Sequence, residues 1–317
     1  MESIQSKIKQ NIPLAPLTTF KVGGSAKFFL EVESKEDLLG AYEWAKEKGE
    51  QVAILAGGSN VLINDNGVDG LVVKINNGNA VIKGERMECG AGASLISIAR
   101  LSASHGLSGT EWAIGIPGTV GGAVRGNAGA YGSSISESVE TAEVFNAKKE
   151  KFEQFSQKDC KFNYRESIFK KDNAKHLLIW QVVLRLRKGG IAEIQSLIDK
   201  YLTHREKNQP KLPSAGCVFK NLTIDELRNF NFDLANEAMG ADIIKGGKIG
   251  AGWIVDKAGL KGKAIGGAKV SLEHANFIIN TGKATAEDII MLISFIKQQV
   301  RTKYNVQLQE EIQYFGF

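Results

Sequence analysis

The sequence predicts an α+β protein, and three features carry that reading. Short apolar segments suited to strands recur through the first 190 positions. A β-α-β run ends in a glycine turn that leads into another strand, where a dinucleotide-binding unit of the doubly wound type would begin a helix. The last third combines two long amphipathic helices with a closing strand.

Taken in order, Lys27–Val32 (KFFLEV) reads as a strand. Ser34 opens a helix, with Ser34 and Asp37 as a capping pair, Leu38, Tyr42 and Ala45 on one face, and Gly49 at the stop. The buried strand Gln51–Ala56 (QVAILA) runs into Gly57-Gly58-Ser59-Asn60, and Val61–Asn64 continues as strand. Leu71–Ile75 and Ala80–Ile82 are further strands, and Ser94–His105 is helical. Ile114–Gly132 is the stretch richest in glycine, and strands follow at Glu140–Asn146 and His176–Arg187. Gly189-Gly190 marks the expected domain boundary. Beyond it, Ile191–Glu206 is an amphipathic helix with Ile194, Leu197, Ile198 and Tyr201 on one face. Thr285–Lys303, capped by Thr285 and Asp288, is another, and Val306–Phe315 is a terminal strand.

Composition narrows the function. A chain of 317 residues has room for two or three domains with real cores. Its 43% apolar and 24% charged residues are those of an ordinary globular protein. The net charge of +5 is spread along the chain with no basic run interleaved with aromatics, which disfavours nucleic acid and suits a small anionic substrate. No apolar stretch is long enough for a membrane span, and the N-terminus lacks a signal-peptide core. Three cysteines without a C-x-x-C argue against a disulfide framework or a zinc site, so a reducing cytoplasm is expected. The four histidines show no ligand spacing, so no metal is expected. G-x-G-x-x-G, G-x-x-x-x-G-K-[ST], H-E-x-x-H and G-x-S-x-G are all absent.

Two glycine turns remain, Ala56–Val61 (AGGSNV) and Gly115–Gly132. There are 35 glycines against 5 prolines, so backbone must often approach something closely. Successive amides in a tight turn converge on an anion, and missing Cβ atoms let a diphosphate reach them. Ser59, Asn60 and Thr119 add side-chain donors. A lone GGSN is more economically a strand connection. Both segments in this order, with Pro117 fixing one turn, argue for a cradle.

The segments LAGGSNVLI, IPGTVGGAV with NAGAYG, and NYRESIF resemble the UDP-N-acetylenolpyruvoylglucosamine reductases. So do SAGCVFKN, AGWIVDKAGLKG, HANFIINTGKAT and LQEEIQYFG, and the resemblance runs from Thr18 to Gly316. It implies a two-lobed FAD-binding region of the vanillyl-alcohol-oxidase (PCMH) type over residues 1–188, with lobes of about 1–75 and 76–188. A C-terminal α+β substrate-binding domain over 189–317 would follow. No insertion stands between Trp180 and Gly190, which resembles the shorter family form without a tyrosine-bearing loop. The resemblance further implies noncovalent FAD, NADPH as reductant, a nucleotide-sugar substrate and a cytoplasmic protein, expected as a monomer.

Carried onto this chain, the resemblance makes Arg165 the cation that forks onto a developing enolate carboxylate. Cys217 falls where the family has its serine or cysteine proton donor. A thiol with an ordinary pKa of about 8.5 is protonated at neutral pH and is a better acid than a hydroxyl. A carboxylate in LQEEIQYFG is the third group. Strand alternation singles out Glu310, which falls in phase with Val306, Leu308 and Ile312, whereas the motif indicates Glu311. Flavin contacts carry over to Gly57, Gly58, Ser59, Asn60, Gly115, Thr119, Gly121, Gly122, Asn127 and Ala128. Substrate contacts carry over to Tyr164, Asn221, Lys257, Arg205 and Lys207. The pair Arg125-Gly126 departs from the bulkier pair of many relatives. An oxidase of the same fold and a non-catalytic nucleotide-sugar binding module are the competing readings.

Overall fold

The computed structural model describes residues 4–241 and 243–317. The chain divides into two compact units. The first holds the described residues up to Ile12, then Ala26–Gly58 and Asp69–Lys207. The second holds Pro13–Ser25, Ser59–Val68 and the described residues of Asn208–Phe317.

Among the described residues, the first unit contains two short two-stranded pairs, Gly129–Ala130 with Ser133–Ser134 and Leu107–Ser108 with Arg187–Lys188, and two larger sheets. One orders Lys9–Pro13, Ser25–Val32, Val68–Ile75 and Val52–Leu55, the last two pairing in parallel. The other is antiparallel and orders Lys151–Ser156, Val139–Asn146, Leu177–Arg185, Arg86–Gly90 and Ala80–Lys83. Five helices accompany them: α1 (Ile4–Lys7), α2 (Lys35–Lys48), α3 (Leu95–Ser104), α4 (Val120–Gly126) and α5 (Ile191–Asn208). Helix α2 forms where its caps require. Ser34 accepts from the Asp37 amide, and Gly49 ends the helix at φ 67. It buries Leu38, Ala41, Trp44 and Ala45, while Tyr42 rests on Phe145 with ring centroids 5.1 Å apart. Burying a side chain such as Leu38 or Ile98 contributes about 1.5–3 kcal/mol.

Two features of this unit depart from the sequence-based expectation. The stretch Ile114–Gly132 contains a helix, α4, where only turns are anticipated. Thr119 caps it by accepting from the Gly122 amide at 3.4 Å, and Asn127 closes it at φ 43. Glycine's poor helix propensity is overridden because Gly121 lies against Ala91, where an added Cβ would come within 2.8 Å of the Ala91 Cβ. The boundary expected at Gly189-Gly190 also does not coincide with the division into units. Ile194 and Ile198 of α5 bury their side chains in the first core, so the helix belongs there.

The second unit orders Ser214–Cys217, Phe277–Asn280, Ala268–Val270 and Ala264–Ile265 in an antiparallel sheet. Helices α6 (Ile224–Phe230), α7 (Phe232–Gly240), α8 (Ala251–Lys257) and α9 (Ala286–Tyr304) surround a second core. Phe20, Val22 and Leu62 are members of that core, which explains why Pro13–Ser25 and Ser59–Val68 fold with this unit. Asn280 reinforces the assignment by donating to the Phe20 carbonyl at 3.1 Å. The terminal strand is shorter than expected. Only Gln313–Phe315 is strand, running parallel to Val61–Ile63, and upstream of it Glu310 makes a single bridge to Phe219. Val306 and Leu308 are buried as alternation requires, but outside that bridge this stretch lacks ladder partners.

Helix α9 starts on two caps. Thr285 and Asp288 form the expected capping box, and the Asp65 carboxylate accepts from the Ala286 and Glu287 amides at 2.9 and 3.2 Å. Asp65 also places negative charge at the helix N-terminus. Asp65→Ala should therefore destabilise the protein by about 1 kcal/mol. A lower urea midpoint with an unchanged slope checks this, and an unchanged midpoint would contradict the cap.

Candidate active site

In the first unit the two glycine turns meet backbone to backbone. A Cβ on Gly57 would lie 2.9 Å from the Gly118 Cα and 3.4 Å from the Thr119 side chain. Gly58, Gly115 and Gly118 take φ values of 61, 70 and 139, which favour glycine. Among the described residues, the amides of Gly57, Gly58, Gly118 and Thr119 make no backbone hydrogen bond. The first amides of α4 are differently disposed: Val120 donates to Ala93, Gly121 to Ala91, and Gly122 to Thr119. The amides left open are therefore those of the two turns, and Gly121 serves close contact with Ala91. Just upstream, the buried Trp112 Nε1 and Glu111 Oε1 have no hydrogen-bond partner among the described residues. Open amides, missing Cβ atoms and buried polar atoms without partners together fit a dinucleotide cofactor.

Asn127 and Ala128 act within the fold. Asn127 Nδ2 donates to the Asn163 carbonyl at 2.8 Å, its Oδ1 accepts from the Ser136 amide at 3.3 Å, and Ala128 bonds Ala123 and Ile135 through its backbone. Asn163 and Glu166 exchange two backbone hydrogen bonds of 3.0 Å, closing a tight turn tipped by Tyr164 and Arg165. Ser167 donates to the Arg125 carbonyl at 2.6 Å, so two bonds tie this turn to the end of α4. Arg165 sits at φ 54, a conformation that costs a residue with a Cβ about 1–2 kcal/mol. Its Nη2 donates to the Gly129 carbonyl at 2.8 Å, and its guanidinium lies 5.4 Å from the Tyr164 ring. Strain of this kind is retained where surrounding structure enforces it, and it clusters at functional sites. Gly126 has open space where a Cβ would stand, so the Arg125-Gly126 pair relieves no crowding within the protein.

Helix α5 reaches the second glycine segment. Tyr131 stacks on Tyr201 with centroids 3.9 Å apart, and the Arg205 guanidinium lies 5.2 Å from the Tyr131 ring. Arg205 Nη2 donates to the Trp112 carbonyl at 3.3 Å, and its Cδ occupies the space a Gly115 Cβ would need. Lys207, two residues on, is exposed. The structure thus separates two residues that the sequence treats alike.

In the second unit, Cys217 ends the strand Ser214–Cys217 and is half-buried. Cys89 and Cys160 are buried, and burial pushes both thiols up to about 12, the nearby Asp159 adding to the shift at Cys160. They are packing residues, as expected. The Glu311 amide donates to the Val218 carbonyl at 2.7 Å, and the Lys220 amide donates to Gln309 at 2.8 Å. The stretch bearing Cys217 therefore lies alongside the stretch bearing Glu311. Asn60 joins this pair: its Nδ2 donates to the Glu311 carbonyl at 3.1 Å, and its own carbonyl accepts from the Gln313 amide. Ser59, next to it, is half-buried. Glu310 is committed elsewhere. Its carboxylate pairs with Lys297 at 2.6 Å and accepts from the Tyr314 hydroxyl at 2.6 Å. That engagement explains how an in-phase carboxylate is tolerated.

Asn221 and Lys257 have local roles. Asn221 Oδ1 accepts from the Ala251 amide at 3.1 Å, holding the start of α8. Lys257 pairs with Glu237 and lies 5.7 Å from the Trp253 ring, and the hydrogen bond to Glu237 raises its pKa. Sequence reading misses Asn276, whose side chain bonds both backbone groups of Phe219. A separation of 57 residues hides that pairing, although Asn276 lies within the quoted HANFIIN segment. Among the described residues no group of three or more His, Cys, Asp or Glu side chains could hold a metal, and no helix is long and apolar enough to cross a membrane.

Comparison with known proteins accords with this geometry. Residues 208–315 match the family of the UDP-N-acetylenolpyruvoylglucosamine reductase C-terminal domain, and residues 26–151 match an FAD binding domain. The chain is 36% identical over 310 residues to the UDP-N-acetylenolpyruvoylglucosamine reductase of Solibacter usitatus, covering 98% of this chain and 97% of that one. It is 36% identical over 320 residues to the enzyme of that name from a Synechococcus strain, covering 99% and 93%. The crystal structure of the Thermus caldophilus reductase superposes with a TM-score of 0.77 at 31% identity, covering 97% of this chain and 99% of that one. The expected α+β fold, with an FAD-binding region and a distinct C-terminal domain, is thereby borne out.

Gly57→Ala forces a Cβ into the Gly118 backbone. Overpacking of this kind costs about 1–3 kcal/mol, so FAD binding should weaken about tenfold or more. Gly126→Ala, which meets open space, should leave it nearly unchanged. Flavin fluorescence released on dilution reads both.

Proposed function

The chain belongs to the UDP-N-acetylenolpyruvoylglucosamine reductase family, an FAD-dependent group of oxidoreductases of peptidoglycan precursor synthesis, and on that premise we propose how its residues carry the reaction. The substrate is the enolpyruvyl ether of UDP-N-acetylglucosamine and the product is UDP-N-acetylmuramate. NADPH is the reductant. FAD, when bound, supplies a hydride to the terminal carbon of the enolpyruvyl group. The turns around Gly57-Gly58 and Gly118-Thr119 would hold its diphosphate by backbone amides, with Ser59 and Asn60 as further donors.

Hydride addition leaves negative charge on the neighbouring carbon and its carboxylate. Arg165 is charged at all working pH and stabilises that charge, and its strained turn holds the guanidinium in place. Cys217 then gives its thiol proton to the same carbon and becomes a thiolate that water reprotonates. Glu311 stands beside the substrate carboxylate and, when protonated, donates a hydrogen bond to it. Tyr164, Arg205, Lys207, Asn221 and Lys257 are the substrate contacts. We also read the enzyme as cytoplasmic, in keeping with its free thiol cysteines, and as a monomer.

The observation that carries this reading is the 2.7 Å hydrogen bond from the Glu311 amide to the Val218 carbonyl. It sets the acid-bearing and carboxyl-bearing stretches side by side in one unit. Of the three thiols, Cys89 and Cys160 are buried and Cys217 is half-buried, which supports Cys217 as the one that meets substrate.

Stopped-flow absorbance of the flavin band tests it. In Cys217→Ala, NADPH should reduce the flavin at the normal rate, whereas substrate-driven reoxidation should fall about 10²–10⁴-fold, the usual contribution of a general acid. Normal reoxidation in that variant would remove Cys217 from the mechanism.

A further inference from the structure

Cys217 stands just after an irregularity in its strand. Ser214 pairs with Ile279, but Cys217 pairs with Phe277. Three steps along one strand thus meet two along the other, so one residue is extra, and Gly216 at φ 77 absorbs it. A Cβ on Gly216 would meet open space, so the backbone conformation alone calls for glycine there. A bulge of this type re-aims the side chain that follows. The direction it sets is only as firm as the backbone beyond it.

On one side that backbone is held by a buried residue, Asn276. Asn276, 2% exposed, donates from Nδ2 to the Phe219 carbonyl at 2.8 Å and accepts at Oδ1 from the Phe219 amide at 2.9 Å. Its own carbonyl accepts from the Val218 amide at 2.8 Å. Both residues after Cys217 are therefore fixed by Asn276. A carboxamide offers a donor and an acceptor in one plane, so it engages Phe219 as a neighbouring strand would. Asn276 is itself oriented: its amide donates to His274 Nδ1 at 3.2 Å, and Ser271 Oγ accepts from the Glu273 and His274 amides at 3.1 and 3.2 Å. Val218 also accepts from the Glu311 amide, so the same backbone carries the register of the carboxyl-bearing stretch.

We propose that Asn276 is the positioning residue for the Cys217 thiol, setting the direction of proton delivery in the second half of the reaction. This rests on the acid role given to Cys217 above. Aspartate at 276 keeps the acceptor for the Phe219 amide but sets a carboxylate against the Phe219 carbonyl. Alanine keeps neither bond and leaves two buried groups unsatisfied.

The test uses the FAD-loaded proteins Asn276→Ala, Asn276→Asp and Cys217→Ala beside the unsubstituted enzyme. Three rates are measured: flavin reduction by NADPH, flavin reoxidation by UDP-N-acetylenolpyruvoylglucosamine, and alkylation of Cys217 by iodoacetamide across pH. Cys89 and Cys160, both buried, give little background to the last. Both Asn276 variants should accept electrons from NADPH at the normal rate. Reoxidation by substrate should slow about tenfold or more, as expected when a catalytic group is misplaced by about an ångström. Alkylation should become several-fold faster as the thiol is released from its fixed direction. Reoxidation and alkylation both at normal rates in a variant that keeps the flavin spectrum would overturn the proposal. Loss of FAD by both variants would also overturn it, since the residue would then serve folding alone. If Cys217→Ala itself reoxidises normally, the acid assignment fails first, and that outcome is distinct from either result at Asn276.

Discussion

The approach of Gly57 to Gly118 is the contact on which the rest of the first unit turns. Two loops meet with no side chain between them, and a single added carbon on Gly57 would sit 2.9 Å from the opposing backbone. Amides of both loops remain open for an anion among the described residues. The arrangement exchanges backbone entropy for a surface of donors that needs no lysine or arginine. Neighbouring features support it: α4 spends its own first amides on Ala91, Ala93 and Thr119, and so braces the second loop without competing for the ligand.

Two of the side chains assigned to chemistry share a second trait. Arg165 and Cys217 both stand on or beside irregular backbone that buried polar groups hold. Arg165 takes a positive φ at the tip of a turn that Asn127 and Ser167 tie to α4. Cys217 follows a bulge whose exit is held by Asn276. At Phe219 the Asn276 carboxamide stands in for a strand partner, whereas Asn127 bridges the Asn163 carbonyl and the Ser136 amide. A side chain with one donor and one acceptor satisfies a peptide group that regular structure would otherwise leave unpaired.

Much of the fold was legible because its signals are local. Ser34 with Gly49, and Thr285 with Asp288, announce helices that form within a residue or two of where the caps lie. Helix α4 was not legible, because three of its seven residues are glycine and tertiary contact with Ala91 decides its conformation. The boundary at Gly189-Gly190 looked like a linker, yet the apolar face of α5 had its binding partner in the first core. Glu310 matched the alternation of its strand, but alternation cannot register that Lys297 and Tyr314 wait to neutralise it.

By itself, the sequence determined the α+β class, the two glycine-rich segments and the family. Each of these follows from neighbours in the chain or from motifs read in order. Only the tertiary structure decided that Glu310 is held by Lys297 and Tyr314, and that Arg205 lies against the glycine segment while Lys207 is exposed. It alone revealed that Asn276 holds the strand leading from Cys217. Those outcomes depend on hydrogen bonds and contacts between residues tens to hundreds of positions apart, which no local pattern encodes.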